Sequence, residues 1–584
     1  MQSTRPSHAD ARNALWCAAA VATAFFVVNP FVQMPFDDDW SYAFTVRELL
    51  RTGRFLYNGW SAPLIITNVW WAAMFARVLG YSFIVLRFST FPSAVGCAVL
   101  AYLLARRADV TPARSIFFSL LLCLSPLFLP LADSFMTDVP ALFFTLLCLY
   151  AFVRAPRSFS WLAVGVLFGI IGGMGRQTVW VVPLSVLPYL IVVRRRDRWF
   201  AAAAGVGWLL VVADIVLSLR WFDRQPWVFL DLPILSVIRQ GLIHPEIPFN
   251  NLLRVCLTTV MLVLPAALPF TFASITRFWH LRNTWRSAFT IILVSSVLSL
   301  GIVLHPTFGM PPWLFNIMTV HGVIGSLELS GHRPVALPFP VLGCISALVL
   351  TSCYFLVARA VEFALQGRAF WGRLCAFFAQ SSPALPALVI FGLVYFALLI
   401  LRSSESGQDL IFDRYCLPLI PCLAIPLLRY FKPRAIACSL LAIYIIYGLA
   451  STQDNLALAA ARRAAVDRLE SSGIPSTEIA AGFEYDFYTQ LEQAGHVNRY
   501  GIRNPPNSFN PAKGYTPALK CRYRIEWNPA ADTMPSPFGT IDYISWLPPF
   551  HRRIYIDQFR HPWWLQPHPS NKSPLPLSYE VFYD

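Results

Sequence analysis

The sequence predicts an all-α polytopic membrane protein that ends in a small soluble α/β domain. Three observations predict it. The chain of 584 residues is 56% hydrophobic and only 13% charged, against about 25% charged in an ordinary soluble protein. Its mean hydropathy is +0.54, and apolar runs of about 20 residues, each long enough to cross a hydrocarbon core, recur from residue 14 to residue 450. The loops between those runs alternate in charge, as membrane loops do.

About thirteen candidate spans follow from the apolar runs. They lie near residues 14–35, 83–105, 115–131, 139–153, 159–174, 178–193, 199–219, 252–275, 287–304, 336–358, 384–401, 414–430 and 435–450. The first run lacks a small-residue cleavage site after it, so it is expected to be a retained span rather than a signal peptide. One set of loops carries Arg5 and Arg12, Arg106-Arg107, Arg154 and Arg157, Arg194 to Arg196, Arg277 to Arg286, Arg368 and Arg373, and Lys432 with Arg434. The other carries Asp37 to Asp39, Asp138, Asp223, Asp231, Glu246, Glu328, Glu405 and Asp409. By the positive-inside rule the basic set is cytoplasmic and the acids face outward. A bacterial inner membrane, with the acids toward the periplasm or exterior, is the expected setting.

The net charge of +15 is absorbed by this topology signal and by contact with anionic headgroups. No basic patch interleaved with aromatics suggests a nucleic-acid groove, so nucleic acid is not an expected partner. An odd number of spans leaves the tail, residues 451–584, on the outer side as a domain distinct from the membrane domain of residues 1–450. The tail is expected to open on a helix from Asn455 to Ser471 that ends at Gly473. Strand-like pieces follow at Glu478 to Ala481 and Ile541 to Ile544, with loops at Asn504 to Asn507 and Pro567 to Pro576. Only Cys521 lies in the tail, which excludes a disulfide within it, and the other cysteines fall mainly in or beside spans as small apolar residues. No Cys/His spacing reads as structural zinc.

Three consecutive acids, Asp37-Asp38-Asp39, stand where the first apolar run gives out. Carboxylates at the mouth of a span are costly to keep dry, so their presence points to function. The segment from Trp40 to Gly53 sets Phe44, Leu49 and Leu50 against Arg47, Glu48 and Arg51, the pattern of an interfacial helix in the first outer loop closed by glycine. An acid before that helix also suits an N-cap, although capping needs one Asp rather than three. A carboxylate here is placed to act as general base toward an acceptor hydroxyl, and its acidic neighbours raise its pKa toward a working range. Hard oxygen ligands also leave a divalent cation, magnesium or manganese, open as a cofactor.

Asp38-Asp39-Trp40-Ser41-Tyr42-Ala43 resembles a motif of the GT-C superfamily of polyprenol-phosphate-dependent glycosyltransferases. The branch concerned holds the protein O-mannosyltransferases and the lipid A aminoarabinose transferase. Its members carry an acidic pair after the first span, then Tyr-Ala and an amphipathic helix. In that register Asp38 is the family base, Asp39 its acidic neighbour and Asp37 an extra acid. Leu86-Arg87-Phe88-Ser89 is similar to the family's Arg-Leu-Pro-Ser, and Phe135 to Pro140 to its second outer loop, which brings Asp138 to the site. Gly175-Arg176-Gln177-Thr178 resembles a glycine-plus-base step, and Phe412 to Pro421 resembles the late Arg-Tyr-Leu-Leu-Pro-Leu-Pro element. The aminoarabinose transferase's Glu-Lys-Pro step, which serves metal and phosphate, corresponds here to Trp60-Ser61-Ala62-Pro63; the proline survives without the acid or the lysine, which puts a protein-bound metal in doubt.

The resemblance implies an inverting transfer of a sugar from a polyprenyl phosphate to a lipid, glycan or protein acceptor at the outer face. Asp38, Asp39 and Asp138 form the catalytic set. Arg176 and Arg414 hold the donor phosphate, since a guanidinium can meet growing negative charge bidentately. Arg402 and His332 are weaker candidates. The region from Trp60 to Trp71 and the outer loops near 220–250 and 305–335 are expected to shape the pockets.

Simpler readings stay open at this stage. Asp138 also suits a plain helix start before Val139-Pro140, Arg176 a headgroup anchor, and Arg414 an ion pair with Asp413 or Asp409. Asp214 is expected to bond a neighbouring helix. His244, His305, His321 and His332 match no metal spacing. A transporter or flippase of lipid-linked sugars would also use intramembrane charges, but the polar residues crowd the outer face and no repeated halves are visible. A polymerase or ligase using a lipid pyrophosphate shares the same layout.

Overall fold

The computed structural model describes residues 8–228, 239, 243–280, 313–324, 329–364, 382–402, 411–502, 504–506, 508–510 and 513–561. The expected span 287–304, His305, Glu328, Glu405, Asp409 and the stretch Pro567 to Pro576 lie outside these residues. Helix dominates. The first apolar run forms α1 (His8–Val27), and α2 (Asp39–Thr52) and α3 (Ile66–Leu79) make up the segment between α1 and the next long apolar helix. Gly53 closes α2 at φ 70°, a left-handed cap that returns its N–H to Leu49 O. Most apolar positions of α2 pack into protein: Trp40, Ala43, Phe44, Val46 and Leu49 are buried, while Leu50 stays exposed. The helix expected along the interface thus has most of its apolar side covered by its own chain.

Then come α4 (Phe83–Arg107), α5 (Pro112–Cys123), α6 (Phe128–Ala132), α7 (Asp138–Arg154), α8 (Phe159–Gly175), α9 (Val181–Val193) and α10 (Arg198–Asp223). They are followed by α11 (Glu246–Leu262), α12 (Leu264–His280), α13 (Phe339–Ala364), α14 (Ala384–Ile400), α15 (Leu419–Tyr430) and α16 (Ala435–Ser471). Among the described residues, five helices are long and apolar enough to cross a membrane, or six if the bent pair α11–α12 counts as one span. Five more apolar stretches are shorter, including α5, α8, α14 and α15. The chain is an integral membrane protein, and the count of thirteen is finer than these helices establish.

Proline explains two breaks the apolar pattern did not forecast. The expected span 252–275 turns through 98° between α11 and α12, where Pro265 disfavours helix for Leu264 and lacks an N–H of its own. The expected span 115–131 is interrupted between α5 and α6, at Ser125-Pro126. Small residues bring the helices close. A Cβ on Gly165 of α8 would lie 2.5 Å from the Phe152 ring of α7, so that contact requires glycine.

The last span and the first helix of the tail are one element. α16 runs 37 residues without a break, through position 450 and past the expected start at Asn455. Two short antiparallel strands, β1 (Met318–Thr319) and β2 (Gly322–Val323), lie between α12 and α13 in the chain. Beyond α16 stand β3 (Ile479–Ala480), α17 (Phe483–Ala494), β4 (Tyr523–Glu526), β5 (Thr533–Ile544) and β6 (His551–Phe559). The strands form one sheet in the order β3-β4-β6-β5, with β3 parallel to β4 and the other pairs antiparallel. Its buried face packs on Leu458, Ala465 and Leu469 of α16 and on Val28, Val32 and Met34, which follow α1. The first outer segment is therefore part of the tail's core.

Candidate active site

The acidic turn is set by side chains distant in sequence. Arg87, near the N-terminal end of α4, is almost wholly buried. Its Nη1 donates to Pro30 O at 2.6 Å and Val32 O at 2.9 Å, and its Nη2 to Met34 O at 3.1 Å. A buried guanidinium needs such acceptors, and meeting that need fixes the path from α1 into the acids. Asp133 lies in the field of the same arginine. Both its oxygens lack hydrogen-bond partners among the described residues, and burial pushes its carboxyl well above the ordinary range.

The three acids have three different employments. Asp39 is buried and accepts from Phe36 N at 2.7 Å and from Phe135 N at 3.1 Å. It braces the segment that follows α1 against the one that precedes α7, and burial lifts its pKa to about 7. Asp37 sits in left-handed backbone at φ 49° and accepts from Arg414 Nη1. It is not a spare acid, as the motif register suggested. Burial pushes its carboxyl up even though Arg414 opposes the shift. Asp38 occupies the N-cap position of α2 without making a side-chain cap bond, so the capping explanation fails for it. Its Oδ1 accepts from Trp60 Nε1 at 2.7 Å and its Oδ2 from Arg414 Nη2 at 3.0 Å.

Arg414 lies in a short turn, Asp413–Cys416, just ahead of α15. Asp413 does not pair with the guanidinium. Its carboxylate instead accepts backbone N–H groups from Ile317 at 3.2 Å, Met318 at 2.7 Å and Arg414 at 2.7 Å. That arrangement fixes the turn and leaves the Arg414 side chain to Asp37 and Asp38. A surface bridge is ruled out by burial, because only 6% of the Arg414 side chain is exposed.

On the other side, Arg176 follows the end of α8 and Asp138 begins α7. Arg176 Nη1 lies 2.9 Å from Asp138 Oδ2 and donates to Thr137 Oγ1 at 2.6 Å. The Asp138 contact has the distance of an ion pair without hydrogen-bond alignment, since Oδ2 has no aligned donor. Arg176 is therefore no free headgroup anchor, and Asp138 does more than start a helix.

The two sides meet across a small cavity lined by Asp138, Arg176, Tyr395, Arg414 and Tyr415. Tyr395 Oη donates to Tyr415 O at 3.0 Å. The Tyr415 ring has Arg176, Arg402 and Arg414 at 5.4, 4.9 and 5.9 Å from its centroid. An aromatic face is a low-cost way to gather cations. A roomier open groove, lined by Asp542, Tyr543 and Arg553 among others, lies on the tail. It holds an exposed ion pair, so the small cavity, with its buried opposed charges, is the better candidate for chemistry.

The tail supports this site directly. Trp60, which bonds Asp38, packs against Trp40, Phe483 and Phe487 at ring distances of 5.3, 5.5 and 5.2 Å. Arg499 lies 4.4 Å from the Trp60 ring centroid and donates to Trp60 O at 3.1 Å. Arg47 of α2 reaches Tyr488 and Glu492 of α17. Trp60 opens the region expected from sequence to shape the pockets, and its bond to Asp38 has no signal in the sequence.

The remaining candidates stand apart. Asp214 accepts from Trp180 Nε1 at 2.9 Å and from Ser218, as expected of a helix-bonding residue. His244 pairs with Glu246 on the surface. His332 is exposed, and its carbonyl accepts from Asn528. Among the described residues no group of three or more His, Cys, Asp or Glu side chains is arranged to hold a metal ion. The Asp37 and Asp38 oxygens that would serve one face a guanidinium instead.

These features define a class: an integral membrane protein with a buried site of opposed charges at one end of its helices. Residues 66–246 match the family described as dolichyl-phosphate-mannose-protein mannosyltransferase. The resemblance to polyprenol-phosphate-dependent membrane glycosyltransferases is shown by that match. An uncharacterized protein of Aquifex aeolicus (strain VF5) is 25% identical over 378 residues, covering 61% of this chain and 71% of the relative. The crystal structure of ArnT from Cupriavidus metallidurans bound to undecaprenyl phosphate is 13% identical, at a TM-score of 0.40 over 95% of this chain and 99% of that one. The S. cerevisiae protein O-mannosyltransferase Pmt1-Pmt2 complex bound to the sugar donor is 11% identical at a TM-score of 0.31. That match covers 38% of this chain and 34% of the yeast chain.

Proposed function

We propose that this chain transfers a sugar from a polyprenyl phosphate to an acceptor hydroxyl at the outer face of the membrane, with inversion. The observation that carries the reading is the Asp38–Arg414 contact beside the cavity shared with Asp138 and Arg176. A sugar on a lipid phosphate needs a cation for the departing phosphate and a base for the incoming hydroxyl. Arg414 and Arg176 line one cavity and supply the cationic wall. Asp38 is the base. Trp60 holds one of its oxygens and Arg414 the other. When the donor phosphate draws on Arg414, Asp38 Oδ2 is released to the acceptor. Asp138 keeps Arg176 charged and aimed at the cavity.

The family description, which names dolichyl-phosphate-mannose, supports a polyprenyl-phosphate donor. Undecaprenyl phosphate is the expected carrier in a bacterial host and dolichyl phosphate otherwise. Sugar transfer from a panel of polyprenyl-phosphate sugars, comparing wild type with Asp38→Asn in membranes, tests the reading. Transfer that collapses in a folded variant supports it. Equal transfer by both removes Asp38 from the mechanism. Movement of the lipid-linked sugar across the bilayer without transfer would favour a flippase.

A further inference from the structure

The β5–β6 hairpin runs down the outward part of α16 toward the membrane. Near its top, Arg468 of α16 donates to Phe538 O and Thr540 O. At its foot, Gln453 donates to Ile544 O and accepts from Trp546 N. The same helix enters the membrane near Ala435, after Lys432 and Arg434. A helix rising about 1.5 Å per residue crosses the hydrocarbon in about 20 residues. That brings α16 out of the lipid close to Gln453, at the level of the hairpin tip.

Side chains at the tip change character at this level. On the hairpin face turned away from α16, the exposed ion pair Asp542–Arg553 occupies one rung, at 2.6 Å. The next rung on that face pairs Ile544 with His551. Beyond it the turn presents Trp546 and Phe550. Ile544, Trp546 and Phe550 are 62%, 43% and 57% exposed. They continue a stripe on α16 formed by Ile436, Ile443 and Ile446, at 52%, 59% and 66% exposed, which lies within the spanning part of the helix and faces lipid. Gln453 stands seven residues beyond Ile446, on the same helical face. Aromatic side chains at a membrane–water boundary are stabilised there, because their rings suit the headgroup level.

We propose that this tip is a membrane anchor. Ile544, Trp546 and Phe550 enter the interfacial layer of the leaflet nearest the site, and the tail rests on the lipid surface beside α16. The anchor and the Gln453 tether then hold the sheet, and through the tail core the segment Val28 to Met34, at a set height over the bilayer.

Nitroxide labels on the full chain in phosphatidylethanolamine–phosphatidylglycerol vesicles test this. Phe550→Cys, Ile446→Cys and Met534→Cys would each be labelled after the reactive native cysteines are replaced by serine. Collision with oxygen reports lipid, and collision with a nickel chelate reports water. The expected result is that the label at 550 shifts toward the oxygen-rich reading at 446, while the label at 534 reads as aqueous. A label at 550 that reads like 534 overturns the proposal. So does one shielded from both reagents, because a protein would then cover the tip. Trp546→Cys gives the same readout if the change at 550 disturbs folding.

Discussion

The site has two guanidinium groups, and their carboxylate contacts are built differently. Arg414 is held between two carboxylates of one acidic turn, and Asp38 is pinned again by Trp60 under an aromatic cover from the tail. Arg176 has one carboxylate, unaligned, and one threonine hydroxyl. Two donors fix Asp38, which on the proposed mechanism sets the direction of the base until the donor phosphate draws on Arg414. Arg176 has fewer fixed partners and on the same mechanism serves the donor alone. Both arginines then face the phosphate, and Arg414 also orients Asp38.

The comparison breaks most sharply at Asp38. Asp38→Asn keeps size and removes the base, so turnover should fall by roughly 10²–10⁴-fold in a sugar-transfer assay, with donor affinity nearly unchanged. Retained turnover would strip the rigid pair of its role. Arg414→Lys comes next. Lysine keeps the charge but cannot bridge Asp37 and Asp38 in a fork, and turnover should drop by about 10²-fold with a weaker donor. Arg176→Lys sharpens the contrast, since its loss should appear mainly as a raised donor KM, of roughly 10-fold, with turnover largely kept.

Trp60→Phe keeps the ring in its aromatic nest and removes the Nε1–H donor to Asp38. One neutral donor to a carboxylate is worth about 1.5–3 kcal/mol at most, so a loss of about 10-fold in turnover is expected, with donor KM unchanged. A KM effect alone would mean that Trp60 shapes the pocket instead. The smallest effect concerns Asp39. Its folded pKa of about 7 lies above the ordinary carboxyl value of 3.8. Its contribution to stability is therefore complete below about pH 4 and is lost as pH rises through about 7. Thermal melts in detergent should show wild type losing more stability than Asp39→Asn between about pH 5 and pH 8. Parallel losses would show that Asp39 does not titrate in that range.

Much of this arrangement is legible in the sequence, and the reasons are local. The acids after the first apolar run, the helix closed by Gly53 and the positions of Asp138, Arg176 and Arg414 at the ends of apolar runs are all marked by neighbours within a few residues. The partner of Arg414 was not readable, because Asp413 stands next to it in sequence while Asp37 and Asp38 stand far away. Asp413 was already committed to backbone amides, a fact visible only once residues 317–318 came to it. Arg87 was noticed as part of a motif, but its work of holding three carbonyls across the chain has no local signature. Trp60 looked like a loss from a motif, and its indole N–H proved to be the second grip on Asp38. The boundary at residue 450 followed a change in composition that leaves the helix uninterrupted, since backbone hydrogen bonds propagate through α16 whether its side chains face lipid or water.

By itself, then, the sequence determined that the chain lives in a membrane and which polar residues stand at the ends of its apolar runs. Hydrophobic period, charge asymmetry and proline act through near neighbours, and near neighbours are what a sequence displays. Only the tertiary structure decided which carboxylate meets which guanidinium, which acid became a brace, and that the tail packs against the Trp60 that holds Asp38. Those outcomes depend on which buried polar groups find partners once distant segments meet.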